Sequence, residues 1–499
     1  MSDLIRPDVT GAELGAEPRM LVDGKLVESR GGGTFDNINP ATEGVLGSTT
    51  DATADDMDAA IAAARRAFDT TDWGTNHALR KRCLEQLHEA IVGEQELFRA
   101  ELVAEVGTPV MVTSMAQLDE PLKEALLWPA SQIEQFEWER DLPDGNAFGQ
   151  PSRRKVVKEP AGVVGAILPW NYPFEIIMAK LGQALATGNT MVIKPAPDTP
   201  WSATRIGRLI AEQTDIPPGV VNIVPSSDHQ LGEQLVVDPR VDLISFTGST
   251  ATGMRIMAAG APTMKRLFLE LGGKSADIVL DDADLAGKLA FSGISTCIHG
   301  GQGCAMLTRL LVPSSRYDEA VQIVEGAFQG VTYGDPTDPG NFQGPQISEK
   351  QRDRVLGYIE KGKEEGARLV VGGGRPAHLP KGWYVEPTLF ADVDNSMTIA
   401  QEEIFGPVLV MIPYEDEDDA VRIANDSRYG LSGGVTSASE ERAMRVARRI
   451  RSGTLSVNGG IYYGADSAFG GYKASGIGRQ NGIEGFDQYL EVKAIAIGK

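Results

Sequence analysis

Cysteine and histidine are scarce in this chain. Its 499 residues include three cysteines, Cys83, Cys297 and Cys304, and five histidines. Three is an odd and sparse number of cysteines, which argues against a disulfide framework, and no pair has zinc-finger spacing. We therefore expect neither a small disulfide-stapled domain nor a metal site.

Positive charge and long apolar runs are also in short supply. Lysine and arginine number 47 against 69 acidic residues, a formal net charge of −22. A nucleic-acid-binding protein typically has the opposite balance. The longest strongly apolar runs, such as residues 161–169, fall far short of the ~20 residues that span a bilayer. Residues 1–20 lack the apolar core of a signal peptide. The sequence therefore predicts a soluble, cytoplasmic protein without nucleic-acid or membrane partners.

Glycine, in contrast, is abundant, with 57 residues. The excess predicts many tight turns and close backbone approaches. Apolar residues make up 42% and charged residues 23% of the chain, which is ordinary globular composition. At roughly 150 residues per domain, the length predicts about three domains or lobes.

The first part of the chain reads as a hairpin followed by helices. Residues 21–27 predict a hairpin around Asp23-Gly24, and residues 51–70 predict an alanine-rich helix capped near Thr53. Residues 79–106 and 111–140 predict two long helices. Residues 141–150, with Leu-Pro-Asp-Gly-Asn, predict a turn before a strand at 152–159.

Beyond residue 160, strands and helices alternate. One alternating region covers about 163–271 and a second about 275–481, and a last strand lies within 485–499. Alternation at this spacing predicts parallel, doubly wound sheets. The fold class expected is therefore α/β.

One strand-to-helix turn is a candidate phosphate site. In Phe246-Thr-Gly248-Ser249-Thr250 a strand ends, Gly248 allows a tight turn and Ser249 or Thr250 caps a helix. Free N–H groups at such a helix start can hold a diphosphate. Gly253 would let the helix approach the strand closely. Any strand-to-helix turn has a similar sequence, so the string alone does not distinguish a phosphate-binding turn from an ordinary one.

Two further residues are candidates for chemistry. Cys304 follows His299-Gly-Gly-Gln-Gly, whose small residues leave the sulfur accessible. The alternative is that Cys304 is a buried structural cysteine. Cys83 is interpreted as a structural cysteine of that kind. Glu270 ends an apolar strand, where burial raises a carboxyl pKa and suits a general base. A satisfied salt bridge is the alternative for Glu270.

Seven strings, in order along the chain, resemble the motifs of the aldehyde dehydrogenase superfamily. They are Pro169-Trp-Asn-Tyr-Pro173, Val192-Ile-Lys-Pro195, Phe246-Thr-Gly-Ser249, Leu269-Glu-Leu-Gly-Gly-Lys274, Gly301-Gln-Gly-Cys304, Glu402-Glu-Ile-Phe-Gly-Pro407 and Phe469-Gly-Gly-Tyr-Lys-Ala-Ser-Gly476. The resemblance extends from about residue 21 to residue 493. It is to the hydrolytic, NAD(P)-dependent members.

The resemblance implies a covalent mechanism. Cys304 would be the nucleophile, attacking an aldehyde to give a thiohemiacetal and then a thioester. The side-chain amide of Asn171 and the N–H of Cys304 would hold the oxyanion. Glu270 would activate the water that hydrolyses the thioester. Lys180 matches a family lysine that lowers the thiol pKa or relays protons; a solvated helix lysine is the alternative.

The resemblance also implies a nicotinamide cofactor, NAD, with NADP as the open alternative. Its contacts would be made by seven residues: Ile167, Trp170, Lys194, Gly248, Ser249, Glu403 and Phe405. Lys194 would reach the adenosine ribose, and Glu403 the nicotinamide ribose. Many NAD-preferring members carry glutamate three residues after the lysine. Here that position is Pro197, which removes a repulsion toward a 2′-phosphate that Asp198 could partly restore.

Four residues match positions near the family's substrate channel: Tyr172, Glu175, Tyr463 and Phe469. The aromatic rings favour a medium or bulky apolar aldehyde. Glu175 lies in the first turn of a predicted helix, where a carboxylate also favours the helix dipole. Substrate selection and helix stabilisation both remain open for this residue.

The fold implied has two doubly wound Rossmann-like domains and a small β oligomerisation arm. Residues 1–140 and 160–270 would form the cofactor-binding domain, 271–482 the catalytic domain, and 141–159 with 483–499 the arm. The resemblance implies a homodimer or homotetramer. Three alternative functions stay open: a CoA-acylating aldehyde dehydrogenase, a cofactor-independent thiol esterase, and a catalytically idle structural protein.

Overall fold

The computed structural model describes residues 3–499. Its first sheet has eight strands, of which the middle five are parallel. In order across the sheet, the strands are Gly476–Ile477, Arg266–Glu270, Leu243–Thr247, Val163–Ile167, Thr190–Lys194, Val221–Ile223, Met20–Val22 and Lys25–Val27. The hairpin predicted around Asp23-Gly24 forms the last two strands.

Alternate residues of these strands enter two different hydrophobic cores. Val164 packs in one core and Val163 in the other, which is the pattern of a sheet covered by helices on both faces. The helices that contribute to the first core include His77–Gly93, Gln95–Val106, Leu127–Gln135, Pro173–Ala186 and Trp201–Gln213. Those of the second core are Ala54–Thr70, Gln230–Val237 and Thr250–Gly260.

The second sheet has seven strands and is parallel except for its first strand. In order they are Arg368–Val371, Thr388–Ala391, Val408–Tyr414, Arg309–Pro313, Ala276–Val279, Gly433–Thr436 and Ser456–Val457. The helices packed on it are Leu285–Ile294, Tyr317–Gln329, Glu349–Glu364, Glu417–Asn425 and Glu440–Ala447. The expected mixed α/β class, with two doubly wound sheets, is confirmed.

A third, antiparallel sheet joins distant parts of the chain. Its central strand Gln150–Pro160 pairs with Glu139–Ala147 and with Leu490–Gly498. A separate two-stranded ribbon is formed by Thr34–Ile38 and Val45–Thr50. Short helices occupy Gly11–Leu14, Thr398–Gln401 and Gly482–Gln488. Within residues 3–499, no helix has the length and apolar character needed to cross a membrane.

Three local expectations are wrong. The single helix predicted over 79–106 is two helices, His77–Gly93 and Gln95–Val106, because the backbone of Glu94 between them is not helical. The helix predicted over 111–140 is broken into Val110–Val112, a π-helical turn Thr113–Gln117, Asp119–Glu124 and Leu127–Gln135. Pro121 and Pro129 each lie in the first turn of a new segment, where a missing N–H costs no hydrogen bond. The hairpin turn predicted within 141–150 at Pro-Asp-Gly lies instead at Phe148-Gly149, where φ is +55° and +75°.

Candidate active site

Glu270 and Cys304 reach the site from the two main sheets. Glu270 is the last residue of its strand, opposite Thr247 on one side and Gly476 on the other. Gly476, which the expected boundaries place in the catalytic range 271–482, therefore belongs to a strand of the first sheet. Cys304 lies in the loop that precedes the strand Arg309–Pro313 of the second sheet. The candidate site is thus built where the carboxyl end of one sheet faces a loop of the other.

The loop that carries Cys304 winds through three consecutive left-handed residues. The φ angles of His299, Gly300 and Gly301 are +52°, +66° and +73°. A Cβ on Gly301 would lie 2.1 Å from the carbonyl of Gly406, so only glycine fits there. The glycines predicted to leave Cys304 accessible therefore also let the loop pack against the segment that contains Glu403.

The three cysteines differ in exposure as the sequence indicates. Cys83 and Cys297 are fully buried, whereas Cys304 is partly exposed. Desolvation raises the pKa of the Cys304 thiol well above its usual value, and the carboxylates of Glu270, Glu403 and Glu175 raise it further. Cys304 is therefore protonated at rest and needs a nearby base before it can act as a nucleophile.

Glu270 is the nearest candidate for that base. Burial raises its pKa to about 8, while the positive charge of Lys180 and a hydrogen bond with Cys304 act in the opposite direction. Its Oε1 is buried and has no hydrogen-bond partner within the described residues. No basic side chain in that part of the chain forms a salt bridge with Glu270 either, so the salt-bridge alternative does not hold.

Lys180 is buried rather than solvated. Its Nζ donates a 2.9 Å hydrogen bond to Ser245 Oγ, and that hydroxyl lies 3.1 Å from the Tyr489 hydroxyl. The amine also lies 4.8 Å from the centroid of the Phe268 ring. Burial lowers the Lys180 pKa to about 7, although Glu270 and Glu175 pull it upward. A buried amine that titrates near neutrality can exchange protons with its neighbours.

Asn171 follows the first-sheet strand Val163–Ile167 and contacts the Cys304 loop. Its Nδ2 donates to the carbonyl of Gln302 over 2.9 Å, which occupies one of the two N–H groups of the amide. Asn171 is itself buried. The second N–H of this amide is left to donate to another acceptor.

The four residues predicted to line a substrate channel lie on both sides of the site. Glu175 accepts a 2.7 Å hydrogen bond from the Tyr463 hydroxyl. Burial raises the Glu175 pKa to about 7, and the hydrogen bond from Tyr463 acts against this rise. Tyr172 packs its ring edge-on against His299, with centroids 5.3 Å apart. Phe469 stacks on Tyr462 at 6.4 Å.

Tyr463 also lines a cavity of about 140 Å³. The other lining side chains include Glu120, Ala125, Ala179 and Asn481. Ala179 lies on the helix Pro173–Ala186, so this helix contributes one wall of the cavity.

The residues assigned to a nucleotide lie at the carboxyl ends of the first-sheet strands and on the facing segment. Lys194 ends its strand, is buried, and donates from Nζ to the Ser226 carbonyl over 3.0 Å. Ser249 is exposed and caps the helix Thr250–Gly260 by accepting from Thr252 N–H. Gly253 permits the predicted close approach, since a Cβ there would lie 2.6 Å from Leu271.

Three features of this strand edge fit a bound nucleotide. Thr247 Oγ1, just before the glycine turn, is buried and has no hydrogen-bond partner among residues 3–499. First-turn N–H groups of the helix after Ser249 have no acceptor within the helix. Glu403 accepts a 2.9 Å hydrogen bond from Gly273 N–H, and a Cβ on Gly272 would lie 2.2 Å from the same carboxylate.

The remaining predicted contacts lie beside this edge. Phe405 has a left-handed backbone, with φ at +61°, and meets Trp170 edge-on with centroids 5.4 Å apart. Ile167 ends the strand that precedes Trp170. Pro197 is half-buried and Asp198 is exposed.

Several residues of this site were not predicted from sequence. His299, Gln302 and Gln117 all hydrogen-bond Asn171. Ser245 and Tyr489 form a chain with Lys180. Only His299 and Gln302 lie in a string that the sequence analysis singles out. The others come from distant positions that no local pattern connects.

Comparison with known proteins identifies the family of this chain. A model of the aldehyde dehydrogenase family matches residues 26–495. A 3-succinoylsemialdehyde-pyridine dehydrogenase from Pseudomonas sp is 41% identical over 481 residues, covering 95% of this chain and 97% of that protein.

Solved structures that match this chain are also aldehyde dehydrogenases. The crystal structure of a Mycobacterium tuberculosis aldehyde dehydrogenase complexed with NAD+ has a TM-score of 0.92 at 41% identity and covers 96% of this chain and 98% of its own. A mutant of aldehyde dehydrogenase C from Pseudomonas syringae, complexed with NAD+ and octanal, has a TM-score of 0.91 at 36% identity, with coverages of 96% and 97%. The chain therefore belongs to the aldehyde dehydrogenase family.

Proposed function

We propose that this protein oxidises an aldehyde to the carboxylic acid with NAD, through a covalent intermediate on Cys304. The observation that carries the proposal is the pairing of Cys304 with Glu270. A partly exposed thiol of high pKa lies against a buried carboxyl whose own pKa is about 8. This pair joins a nucleophile to a base that can activate it.

Cys304 and Asn171 act in the first stage. As the sulfur bonds to the aldehyde carbon, the thiol proton passes to Glu270, whose raised pKa favours accepting it. The free N–H of the Asn171 amide and the backbone N–H of Cys304 donate to the developing oxyanion. Loss of one such donor typically costs about 10²–10³ in rate.

Glu270 and Lys180 act in the second stage. Bound NAD supplies the acceptor for the hydride that leaves the substrate carbon, which leaves a thioester on Cys304. Lys180, with a pKa of about 7, exchanges protons with Glu270 between the stages. The ionised Glu270 then takes a proton from water as the water oxygen attacks the thioester carbon. The Cys304 sulfur leaves and the acid is released.

The residues proposed to hold NAD are the predicted ones. Lys194 would reach the adenosine ribose, and Gly248 with Ser249 would hold the diphosphate at the helix start. Glu403 would hold the nicotinamide ribose, with Phe405 packed beside the nicotinamide. Ile167 and Trp170 would add backbone contacts. The NAD+ complexes of the similar structures support this choice, and Pro197 leaves NADP as a second substrate to be tested.

The proposed substrate is a medium-sized apolar or aromatic aldehyde. Tyr172 and Phe469 offer half-buried aromatic surface near the site. The octanal bound to the Pseudomonas syringae enzyme supports an apolar chain. Glu175 is placed by its hydrogen bond to Tyr463 and adds a polar group to the same channel.

The proposed division of the chain keeps the predicted boundaries, apart from the strand Gly476–Ile477 in the first sheet. The three-stranded antiparallel sheet would serve as the oligomerisation arm of a homodimer or homotetramer. Its strand Leu490–Gly498 exposes Val492, Ile495 and Ile497, and pairing with another subunit would cover such an edge. The free cysteines fit the reducing cytoplasm.

The test is formation of reduced nucleotide with a panel of aldehydes, run with NAD and NADP in parallel. Wild type is compared with Cys304→Ala, and Cys297→Ala is the matched control because that cysteine is buried in the core. We expect turnover in wild type and the control, and none in Cys304→Ala. Turnover that needs CoA would favour an acylating enzyme. Ester hydrolysis without any nucleotide-dependent reaction would favour a thiol esterase.

A further inference from the structure

Three residues around the site are tied into a closed ring of hydrogen bonds. The Nε2 of His299 lies 2.9 Å from the Asn171 carbonyl. The Nδ2 of Asn171 donates to the Gln302 carbonyl over 2.9 Å, and the Nε2 of Gln302 donates to the His299 carbonyl over 3.0 Å. Each side chain therefore holds the backbone of the next residue. Asn171 comes from the first sheet, whereas His299 and Gln302 belong to the Cys304 loop.

The chemistry of the ring fixes the state of His299. Its Nε2 faces a carbonyl, which only accepts, so Nε2 carries the proton and donates. Its Nδ1 is buried and has no hydrogen-bond partner in the part of the chain described. His299 is fully buried and Tyr172 packs edge-on against its ring. The imidazole is therefore a neutral donor locked in one orientation.

Neighbouring groups hold the ring in place. Gln117 Nε2 donates to the same Asn171 carbonyl over 2.8 Å. Gln302 Oε1 accepts from Ile347 N–H over 2.9 Å. The backbone of His299 is left-handed, with φ at +52°, a conformation that costs a non-glycine side chain energy. Such strain persists only where the surroundings determine the conformation, so the position of His299 is set by the fold.

We propose that His299 is a positioning residue, which sets the Asn171 amide against Cys304 so that its free N–H meets the substrate oxygen. The inference rests on the proposed function. The ring uses one N–H of Asn171 and fixes the direction of the other. A misplacement of about 1 Å at a reacting group can cost about 10²-fold in rate. His299 itself touches no reacting atom and acts only through Asn171.

Three variants at position 299 separate the effect of losing the hydrogen-bond donor from the effect of changing the backbone strain. His299→Asn keeps a residue that tolerates the left-handed backbone but shortens the donor. His299→Gly relieves the strain and removes the donor. His299→Gln restores an N–H at nearly the same reach. We expect kcat to fall about 10- to 100-fold in the Asn and Gly variants with KM nearly unchanged. The Gln variant should recover most of the rate. Thermal unfolding, measured in parallel, checks that each variant folds.

A double-mutant cycle with Asn171→Ala decides the route of the effect. If His299 acts through Asn171, His299→Asn costs nothing further once the Asn171 amide is gone. Additive losses, or equal losses in the Asn and Gln variants, would overturn the inference. Full activity of Asn171→Ala would instead contradict the oxyanion role in the proposed function. A slow Asn171→Ala beside a fully active His299→Asn would contradict only the role of His299.

Discussion

The Glu175 carboxylate accepts a 2.7 Å hydrogen bond from the Tyr463 hydroxyl, across a separation of 288 residues. The contact joins the first turn of the helix Pro173–Ala186 to a segment beyond the second sheet. Helix stabilisation alone does not account for Glu175, because the side chain is buried and its pKa is raised to about 7. A second ionisable carboxyl therefore lies beside Lys180 and influences Cys304.

Removal of the Glu175 charge should make Cys304 more reactive. The carboxylate raises the pKa of the thiol, so Glu175→Gln lowers that pKa and increases the thiolate fraction at a given pH. We expect alkylation of Cys304 by iodoacetamide to be a few-fold faster at pH 8.5 than in wild type. The matched control is Glu120→Gln, which removes an exposed carboxylate paired with Lys123 at 2.6 Å. An unchanged rate in Glu175→Gln, or equal acceleration in both variants, would contradict the prediction.

Loss of the Lys180 charge should move the pH profile toward alkaline values. Lys180 lowers the pKa of Glu270, so Lys180→Met raises it from about 8. In the proposed mechanism Glu270 acts as a base only when it is ionised, so the rate should fall as pH drops through its pKa. At pH values below the pKa of Glu270, each unit by which that pKa rises lowers the ionised fraction of Glu270 about tenfold.

The measurement is the pH dependence of kcat between pH 6 and 10. Ser245→Ala is the control, because it removes the 2.9 Å hydrogen bond of Lys180 and leaves the charge. We expect the control to keep the wild-type midpoint more closely than Lys180→Met. A midpoint that moves toward acid in Lys180→Met would contradict the assigned role of the charge.

The parts of the fold that could be predicted are those set by local patterns. Strand and helix alternation is a local signal, and it predicts both parallel sheets. The hairpin after Met20 follows from Asp23-Gly24 alone. The prediction of one helix over 111–140 is wrong because the apolar periodicity continues across Pro121 and Pro129, whereas the helical backbone is interrupted before each proline. Pro143-Asp144-Gly145 is a strong turn signal, yet the structure has a register shift there and the turn lies at Phe148-Gly149.

The site divides in the same way. Cys304 and Glu270 could be singled out as candidates because each lies in an unusual string: glycines surround the thiol, and the carboxyl ends an apolar strand. The partners of Lys180 could not be found, because Ser245 and Tyr489 are 244 residues apart in sequence. Long-range hydrogen bonds depend on how elements pack, which no spacing encodes.

Alanine at Gly301 should destabilise the protein far more than alanine at Gly366. Both glycines have left-handed backbones, with φ at +73° and +90°. A Cβ on Gly301 would in addition lie 2.1 Å from the Gly406 carbonyl, whereas nothing lies within 4 Å of a Cβ on Gly366. Backbone strain alone costs about 1–2 kcal/mol, and forced overpacking adds about 1–3 kcal/mol.

Urea unfolding of the two variants beside wild type measures this difference. We expect the larger loss for Gly301→Ala, together with loss of activity because the Cys304 loop must move. Gly366→Ala should retain activity. Equal free energies of unfolding for the two variants would mean that the loop relaxes without cost.

Glutamate at position 197 should turn the enzyme away from NADP. Pro197 is half-buried, three residues beyond Lys194, whose amine is proposed to reach the adenosine ribose. A carboxylate there would accept hydrogen bonds from both ribose hydroxyls and repel a 2′-phosphate. We expect Pro197→Glu to lower kcat/KM for NADP by at least about tenfold relative to NAD, which corresponds to roughly 1.4 kcal/mol.

Pro197→Gln is the matched control, since it also removes the proline and differs from Pro197→Glu only in charge. If the two variants change the NAD to NADP ratio equally, the charge at this position does not select the nucleotide. A ratio that shifts only in Pro197→Glu would support the placement of the adenosine ribose beside Lys194.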